Sequence, residues 1–172
     1  MRSKISRTLG AAMAVCIACT MTACGASKQA LVDFNNDITI QSEFLSKEFE
    51  KLAMGNQLLA KGDGDAERTL NEAIKSSKET LKNVRAKLNG LKVPEAPGAK
   101  EYLDSVQAAA NALETRVKSL EGMLAILKDS TLTDAQREAK LGALENVDLD
   151  SIGKKIVETQ KAFADKNGFI LK

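Results

Sequence analysis

The chain has 172 residues, contains no histidine and no tryptophan, and carries a formal net charge of +2 at pH 7. Without histidine it lacks the commonest metal ligand, the usual general base and the usual axial ligand of a haem-binding helical bundle. Aromatic residues make up only 3% of the chain, whereas Ala, Leu, Lys and Glu are abundant. This composition favours helices over a β-sheet, so we expect an all-α protein without a cofactor.

Residues 1–23 have the layout of a secretory signal peptide. Arg2, Lys4 and Arg7 form a positively charged start, and residues 9–21 form an uncharged apolar run. A membrane-spanning helix needs about 20 apolar residues, and this run is shorter. The leader holds three of the 25 basic residues and none of the 23 acidic ones, which leaves 22 basic against 23 acidic residues in the mature chain. The apparent basicity therefore belongs to the leader, and we expect no nucleic-acid partner.

An aliphatic residue and two small residues precede a cysteine in the stretch Met21-Thr22-Ala23-Cys24. The stretch resembles the lipobox of bacterial lipoproteins, in which the cysteine is lipidated and becomes the new N-terminus. The resemblance implies that residues 1–23 are removed and that acyl chains on Cys24, palmitate among them, hold the protein to a membrane. Residues 24–27 are then the lipid anchor and a short tether, and residues 28–172 are the domain that the anchor holds.

Cys16 and Cys19 match the lipobox less well, because the apolar run before each is shorter. The plainer interpretation is that Cys24 is an ordinary cysteine beside a cleaved signal. Gly25 stands where inner-membrane lipoproteins of Gram-negative bacteria often have Asp. The resemblance therefore implies the outer membrane, facing the periplasm, if the source is Gram-negative. No cysteine follows Cys24, so the mature domain has no disulfide, although the compartment permits them.

Residues 28–172 contain four amphipathic segments, and we predict helices over about 28–61, 65–92, 97–129 and 133–167. Apolar residues in the second and third segments alternate in steps of three and four, which is a heptad pattern. The predicted core-facing residues are, segment by segment, Leu31, Phe34, Ile38, Leu45, Phe49, Leu52 and Leu59; Ala66, Leu70, Ala73, Ser77, Leu81, Val84, Leu88 and Leu91; Leu103, Val106, Ala110, Leu113, Val117, Leu120, Leu124 and Leu127; Leu132, Ala135, Ala139, Gly142, Ile152, Ile156, Thr159 and Phe163. Short connections make consecutive helices antiparallel neighbours, so we predict an up-down-up-down four-helix bundle.

The core-facing residues of each segment form an apolar stripe along one face of the helix, and two of these stripes are interrupted. In the first stripe, polar residues stand at Gln41 or Ser42 and at Asn56. Three interpretations are open: they mark a groove for a ligand, they fix the helix register as buried Asn does in coiled coils, or they are simply exposed. In the last segment, residues 147–150 (Val-Asp-Leu-Asp) lie between its two halves and can break or bend the helix.

The predicted boundaries have chemical causes. Gly62 suits the left-handed C-terminal cap of the first helix, and Asp65 suits the N-terminal cap of the second. Residues 94–98 (Pro-Glu-Ala-Pro-Gly) separate the second and third helices, because proline cannot donate a helical hydrogen bond. Thr133 and Gln136 have the spacing of a capping box at the start of the fourth helix.

One acidic stretch, Asp63-Gly64-Asp65-Ala66-Glu67, has acids at alternate positions, as the first half of a calcium loop does. Such a loop ends in a bidentate acid at its twelfth position, which is Ile74 here, so the match fails. We interpret the acids as a turn followed by a negatively charged first helical turn, which the helix dipole favours. The same interpretation applies to Asp148 and Asp150.

The last residues allow two interpretations. Gly168 is expected to stop the last helix in the left-handed conformation, so that Phe169 packs back on Phe163. Alternatively, residues 169–171 are an interfacial anchor with Lys172 facing lipid headgroups. In an up-down bundle this tail returns to the end at which the chain leaves Cys24.

Neither a Gly-rich phosphate loop nor a serine-nucleophile motif is present, so we expect no enzymatic activity. The first functional hypothesis is a tethered structural or interaction module that binds another envelope protein. The second is a carrier of a small ligand in an apolar pocket between the helices. The shortage of aromatic residues favours the first, because small-molecule pockets usually have aromatic lining. The heptad stripes suit either an intramolecular core or a coiled-coil assembly, and we expect a monomer.

Overall fold

The computed structural model of the protein describes residues 26–61, 64–144 and 147–171. The regular elements of these residues are helices, and none of them is a strand, which confirms the all-α prediction. In chain order they are α1 (Lys28–Ala60), α2 (Ala66–Gly90), α3 (Ala99–Lys128), α4 (Asp134–Gly142) and α5 (Leu149–Asn167). The leader, Cys24 and Gly25 lie outside the described residues. None of these five helices is both long and apolar enough to cross a membrane.

The prediction of four helices is wrong for the last segment, which holds both α4 and α5. Ala143 follows α4, and Asp148 is extended, with a φ of −79° and a ψ of 91°. The Asp148 carboxylate accepts a hydrogen bond from the Ser151 amide at 3.1 Å and so caps α5. A new helix therefore begins inside the stretch 147–150, where the sequence indicated a break. Asp150 lies in the first turn of α5, as its interpretation required.

The core is formed mainly by α1, α2 and α3, which all contact one another. The heptad stripes of α2 and α3 face this core: Leu70, Val84, Leu88, Val106 and Leu113 are each at most 1% exposed. Near the turn between α1 and α2 the two backbones come close, because a Cβ on Gly55 would lie only 3.1 Å from the Leu70 Cα. Burial of these stripes is the main stabilising contribution.

Two parts of the predicted stripes are not in the core. Leu127 is 43% exposed at the end of α3. Ala135, Ala139 and Gly142 are exposed as well, and α4 has no buried residue. Helix α4 contacts only α3 among the described helices, so it covers the bundle without sharing its core.

Helix α5 packs on α3 and, over a smaller area, on α1, but it does not contact α2. Its fully buried residues are Phe163 and Ala164. Gly98, which precedes α3, has a φ of 83°, and a Cβ there would lie 3.3 Å from the Phe163 Cα. The turn before α3 thus needs glycine both for its left-handed backbone and for the close approach of α5.

The predicted capping box is present, because the Thr133 side chain accepts from the Gln136 amide and the Gln136 side chain accepts from the Thr133 amide. Asp65 lies at the N-cap of α2, but its carboxylate is 3.2 Å from the Arg68 guanidinium and does not cap the helix. Gly62 lies outside the described residues. Gly168 ends α5 with a φ of 67°, as predicted.

Candidate functional site

An apolar groove of about 270 Å³ runs between α1 and α5. Its apolar lining comes from three helices and includes Leu45, Phe49 and Ala53 of α1, Ala109 of α3, and Ile152 and Ile156 of α5. Its polar lining residues are Ser42, Ser46 and Glu50, and the last two are exposed to solvent. The groove is therefore suited to an apolar group rather than to a charged one.

Small residues keep the groove open. A Cβ on Gly153 would meet no atom within 4 Å, and Ala53 and Ala109 leave room on the opposite walls. The larger side chains around it, Phe49 and Ile152, are only partly buried. Ile152 and Ile156, in the first half of α5, are partly buried against the core, whereas its fully buried residues, Phe163 and Ala164, lie in its second half.

A polar cluster holds that second half. The Gln160 amide donates to Asn35 Oδ1 at 3.2 Å and to Thr39 Oγ1 at 2.9 Å. Thr39 and Tyr102 share a hydroxyl–hydroxyl hydrogen bond of 3.0 Å. Burial raises the pKa of the Tyr102 phenol, although its hydrogen bond with Thr39 lowers it somewhat, so the ring stays neutral. These bonds set the position of α5 along α1 and α3.

The polar residues that interrupt the apolar stripe of α1 lie in different surroundings. Ser42 borders the apolar groove, and its hydroxyl donates to the Thr39 carbonyl at 2.8 Å. The Gln41 side chain donates to the Asp37 carbonyl of its own helix, at 3.4 Å. Asn56 is partly buried. The register is fixed instead by Asn35 and Thr39, which were not singled out from the sequence.

Sequence reasoning also missed Glu48, a carboxylate that is 4% exposed between α1 and α2. It accepts hydrogen bonds from Ser76 and Thr80 at 3.2 Å, from Ser77 at 3.1 Å and from Lys51 at 2.7 Å. Burial by itself would raise the pKa of the Glu48 carboxyl, but the bonds from Lys51, Ser76 and Ser77 and the Lys51 charge lower it.

The carboxylate is therefore ionised and fully engaged at neutral pH, which makes it a structural group. A signal for it was present in the sequence, because Ser77 stands in the apolar stripe of α2. A buried hydroxyl needs a polar partner, and that partner had to come from a facing helix.

At the end of the domain where α1 begins, three chain segments meet. Ala26 and Ala30 border one cleft together with residues 91–95, which follow α2. Lys28 and Val32 border a second cleft together with residues 168–171. The first segment and the tail are thus neighbours, as expected from the sequence.

The tail is anchored by packing at this end. The Phe169 ring contacts Phe163 edge to face, with centroids 5.3 Å apart, and the Phe169 amide donates to the Ala164 carbonyl at 3.2 Å. The interpretation in which Phe169 packs back on Phe163 is therefore confirmed. Ile170, next in the chain, is 91% exposed.

The described acidic residues around the start of α2 form ion pairs with basic residues and are not arranged around a metal site. Glu67 pairs with Lys128 of α3 at 2.5 Å, and Asp65 pairs with Arg68. Asp63 lies outside the described residues. Across residues 26–61, 64–144 and 147–171, no group of three or more His, Cys, Asp or Glu side chains is arranged to hold a metal ion.

The chain matches no protein-family model, no curated protein and no solved structure.

Proposed function

We propose that the protein is a lipid-anchored lipoprotein of the bacterial cell envelope whose helical domain is a non-catalytic structural or protein-interaction module. The observation that carries the proposal is the stretch Met21-Thr22-Ala23-Cys24 after a basic start and an apolar run. Its resemblance to a lipobox assigns lipidation to Cys24. Gly25 favours the outer membrane, facing the periplasm, in a Gram-negative source.

The short chain between anchor and domain supports this arrangement. Helix α1 begins at Lys28, four residues after Cys24, and the Ser27 hydroxyl caps it by accepting from the Ala30 amide at 3.2 Å. Four residues span at most about 14 Å. Lipidated at Cys24, the domain would be held against the bilayer rather than on a long flexible linker.

The state of the buried polar groups supports a non-catalytic role. Glu48 and Tyr102 are buried ionisable groups whose pKa values are shifted by their surroundings, and both are engaged by neighbouring side chains. Neither borders the apolar groove. An acid or base that cannot reach a substrate does no catalysis, so these groups serve the fold.

The proposed architecture treats α4 and α5 together as the fourth member of an up-down-up-down bundle. Two contacts support it: Asn167 donates to the Pro97 carbonyl at 2.9 Å, and Thr159 bonds Ser105 at 2.8 Å. Helix α5 therefore runs opposite to α3. We propose a monomer, because most residues of the heptad stripes are already buried within one chain, with a second envelope protein as the partner.

The test of lipidation is Cys24→Ser in the native host. We expect the variant to accumulate as the unprocessed precursor, whereas Cys19→Ser is processed normally and serves as the control. Mass spectrometry of the N-terminal peptide measures both the cleavage and the acyl chains. Normal processing and membrane fractionation of Cys24→Ser would refute the proposal.

A second candidate function, a small-ligand carrier, is favoured by the groove between α1 and α5. Gly153→Leu would fill the groove, whereas Gly142→Leu adds the same side chain on α4, where a Cβ also meets nothing within 4 Å. Native mass spectrometry of the wild type and of both variants, each purified from the native host, would show which of them carry a bound molecule. An apolar molecule bound to the wild type and to Gly142→Leu, but not to Gly153→Leu, would establish the carrier. A protein partner retained by all three would establish the interaction module.

A further inference from the structure

We infer that the domain stands on the bilayer by one end, with Val93 and Ile170 inserted at the boundary between lipid headgroups and acyl chains. The inference rests on the proposed lipidation of Cys24. It adds the orientation of the domain and the residues that contact lipid, which lipidation alone does not determine.

The point of entry of the chain identifies the end. Ala26 is two residues after Cys24, a span of at most about 7 Å. Ala26 borders the same cleft as Val93, in the connection between α2 and α3. Lys28, at the start of α1, borders the same cleft as Ile170 in the tail. The two apolar residues thus lie on either side of the first turns of α1, beside the anchored end of the chain.

Both residues are apolar side chains that the fold leaves in water. Val93 is 38% exposed and Ile170 is 91% exposed, although Phe169 beside it is packed on Phe163. The packed Phe169 holds the backbone of the tail, so Ile170 is presented from a fixed position. An apolar side chain held next to an acyl anchor is expected to enter the interface, because this removes its surface from water.

The charges at this end of the domain are of both signs, so its contact with the bilayer is expected to depend on apolar side chains rather than on charge attraction. Lys28 and Lys92 border the two clefts, but so do Asp33, Asp37 and Glu95. A mixed surface gains little from an anionic membrane, whereas a polybasic surface would gain about 1 kcal/mol per basic residue. The contact is therefore expected to persist at high salt.

The opposite end provides a matched control. Met54 in α1 and Leu127 in α3 are exposed apolar residues, at 55% and 43%. Each lies 26 or more residues along its helix from the anchored end, about 40 Å at 1.5 Å per residue. If the domain stands upright, these side chains are far from lipid.

The test uses the full-length protein, processed in its host and reconstituted into phosphatidylethanolamine–phosphatidylglycerol vesicles. No cysteine follows Cys24, and lipidation as proposed blocks the Cys24 thiol, so one introduced cysteine then carries the only reactive thiol. Val93→Cys, Ile170→Cys, Met54→Cys and Leu127→Cys are each labelled with an environment-sensitive fluorophore. We expect several-fold brighter emission and quenching by nitroxide lipids at positions 93 and 170, at low and high salt, and neither effect at 54 and 127.

Labels at 93 and 170 that remain in water, or equal quenching at 54 and 127, would overturn the orientation. The mass of the N-terminal peptide, measured on the same samples, separates the two levels of the argument. If Cys24 is acylated but the labels at 93 and 170 are not in lipid, the orientation alone is refuted. If Cys24 is unmodified, both the lipoprotein proposal and the orientation are refuted.

Discussion

Phe163 is the largest fully buried side chain of α5, and its truncation should loosen that helix. It is fully buried, and its ring centroid lies 5.6 Å from that of Phe34, 6.1 Å from Tyr102 and 5.3 Å from Phe169. The only other fully buried residue of α5 is Ala164, which buries much less surface.

The magnitude for Phe163→Ala follows from these contacts. Truncating a buried phenylalanine to alanine lowers the free energy of unfolding by about 3–5 kcal/mol. Each of the three aromatic contacts adds about 0.5–1.5 kcal/mol, which places the expected loss in the upper part of that range. In a domain of this size 1 kcal/mol corresponds to about 2–4 °C, so a loss of about 4–5 kcal/mol should lower the melting temperature by roughly 8–20 °C.

Urea unfolding followed by far-ultraviolet circular dichroism measures the loss, and hydrogen exchange locates it. Peptides from α5 should lose protection in Phe163→Ala while those from α3 keep most of theirs. Phe44→Ala is the matched control, because Phe44 is 46% exposed and its truncation should cost less than about 1 kcal/mol. A loss below about 1 kcal/mol for Phe163→Ala, or an equal loss for Phe44→Ala, would refute this account of how α5 is held.

Three further changes test the packing of α1 and the groove. The pKa of Glu48 is lower in the folded protein than its ordinary value of 4.5. Ionised Glu48 therefore stabilises the fold above pH 4.5, and this stabilisation is lost as the pH falls through the pKa of the folded state. Urea unfolding at several pH values should therefore show a steeper acid loss for wild type than for Glu48→Gln, and parallel curves would contradict the prediction. Gly55→Ala should destabilise the domain by about 1–3 kcal/mol, since the new Cβ lies 3.1 Å from the Leu70 Cα, and unchanged thermal unfolding would show that the helices separate freely. Gly153→Ala should instead raise stability by about 0.5–1 kcal/mol, because its Cβ meets no atom within 4 Å and alanine favours the helix.

The sequence by itself determined the features that depend on neighbours a few residues apart. Helix periodicity predicted the buried face of α3, with Val106 and Leu113 in the core. The capping box at Thr133 and the stop at Gly168 involve residues within one or two turns, and both are present. The leader and Cys24 are likewise interpreted from local sequence, and their role stays a prediction because they lie outside the described residues.

The candidate site was only partly predictable. An apolar pocket between helices was one of the two hypotheses, and a groove is present between α1 and α5. Its position depends on Gly153 facing Ala53 and Ala109, a juxtaposition that exists only after α5 has packed on α1 and α3. The buried Glu48 was missed for the same reason, because its hydroxyl partner Ser77 is 29 residues away in the chain.

Tertiary packing also decided how far each apolar stripe is covered. A periodic pattern shows which side chains share a helix face, but it does not show where the neighbouring helix ends. Leu127 continues the stripe of α3 and is nevertheless 43% exposed, and Ala139 is exposed on α4, which among the described helices contacts only α3. The placement of α5 required Gln160 to meet Asn35 across 125 residues of chain, and such a pairing is set by the packing of whole helices rather than by local sequence.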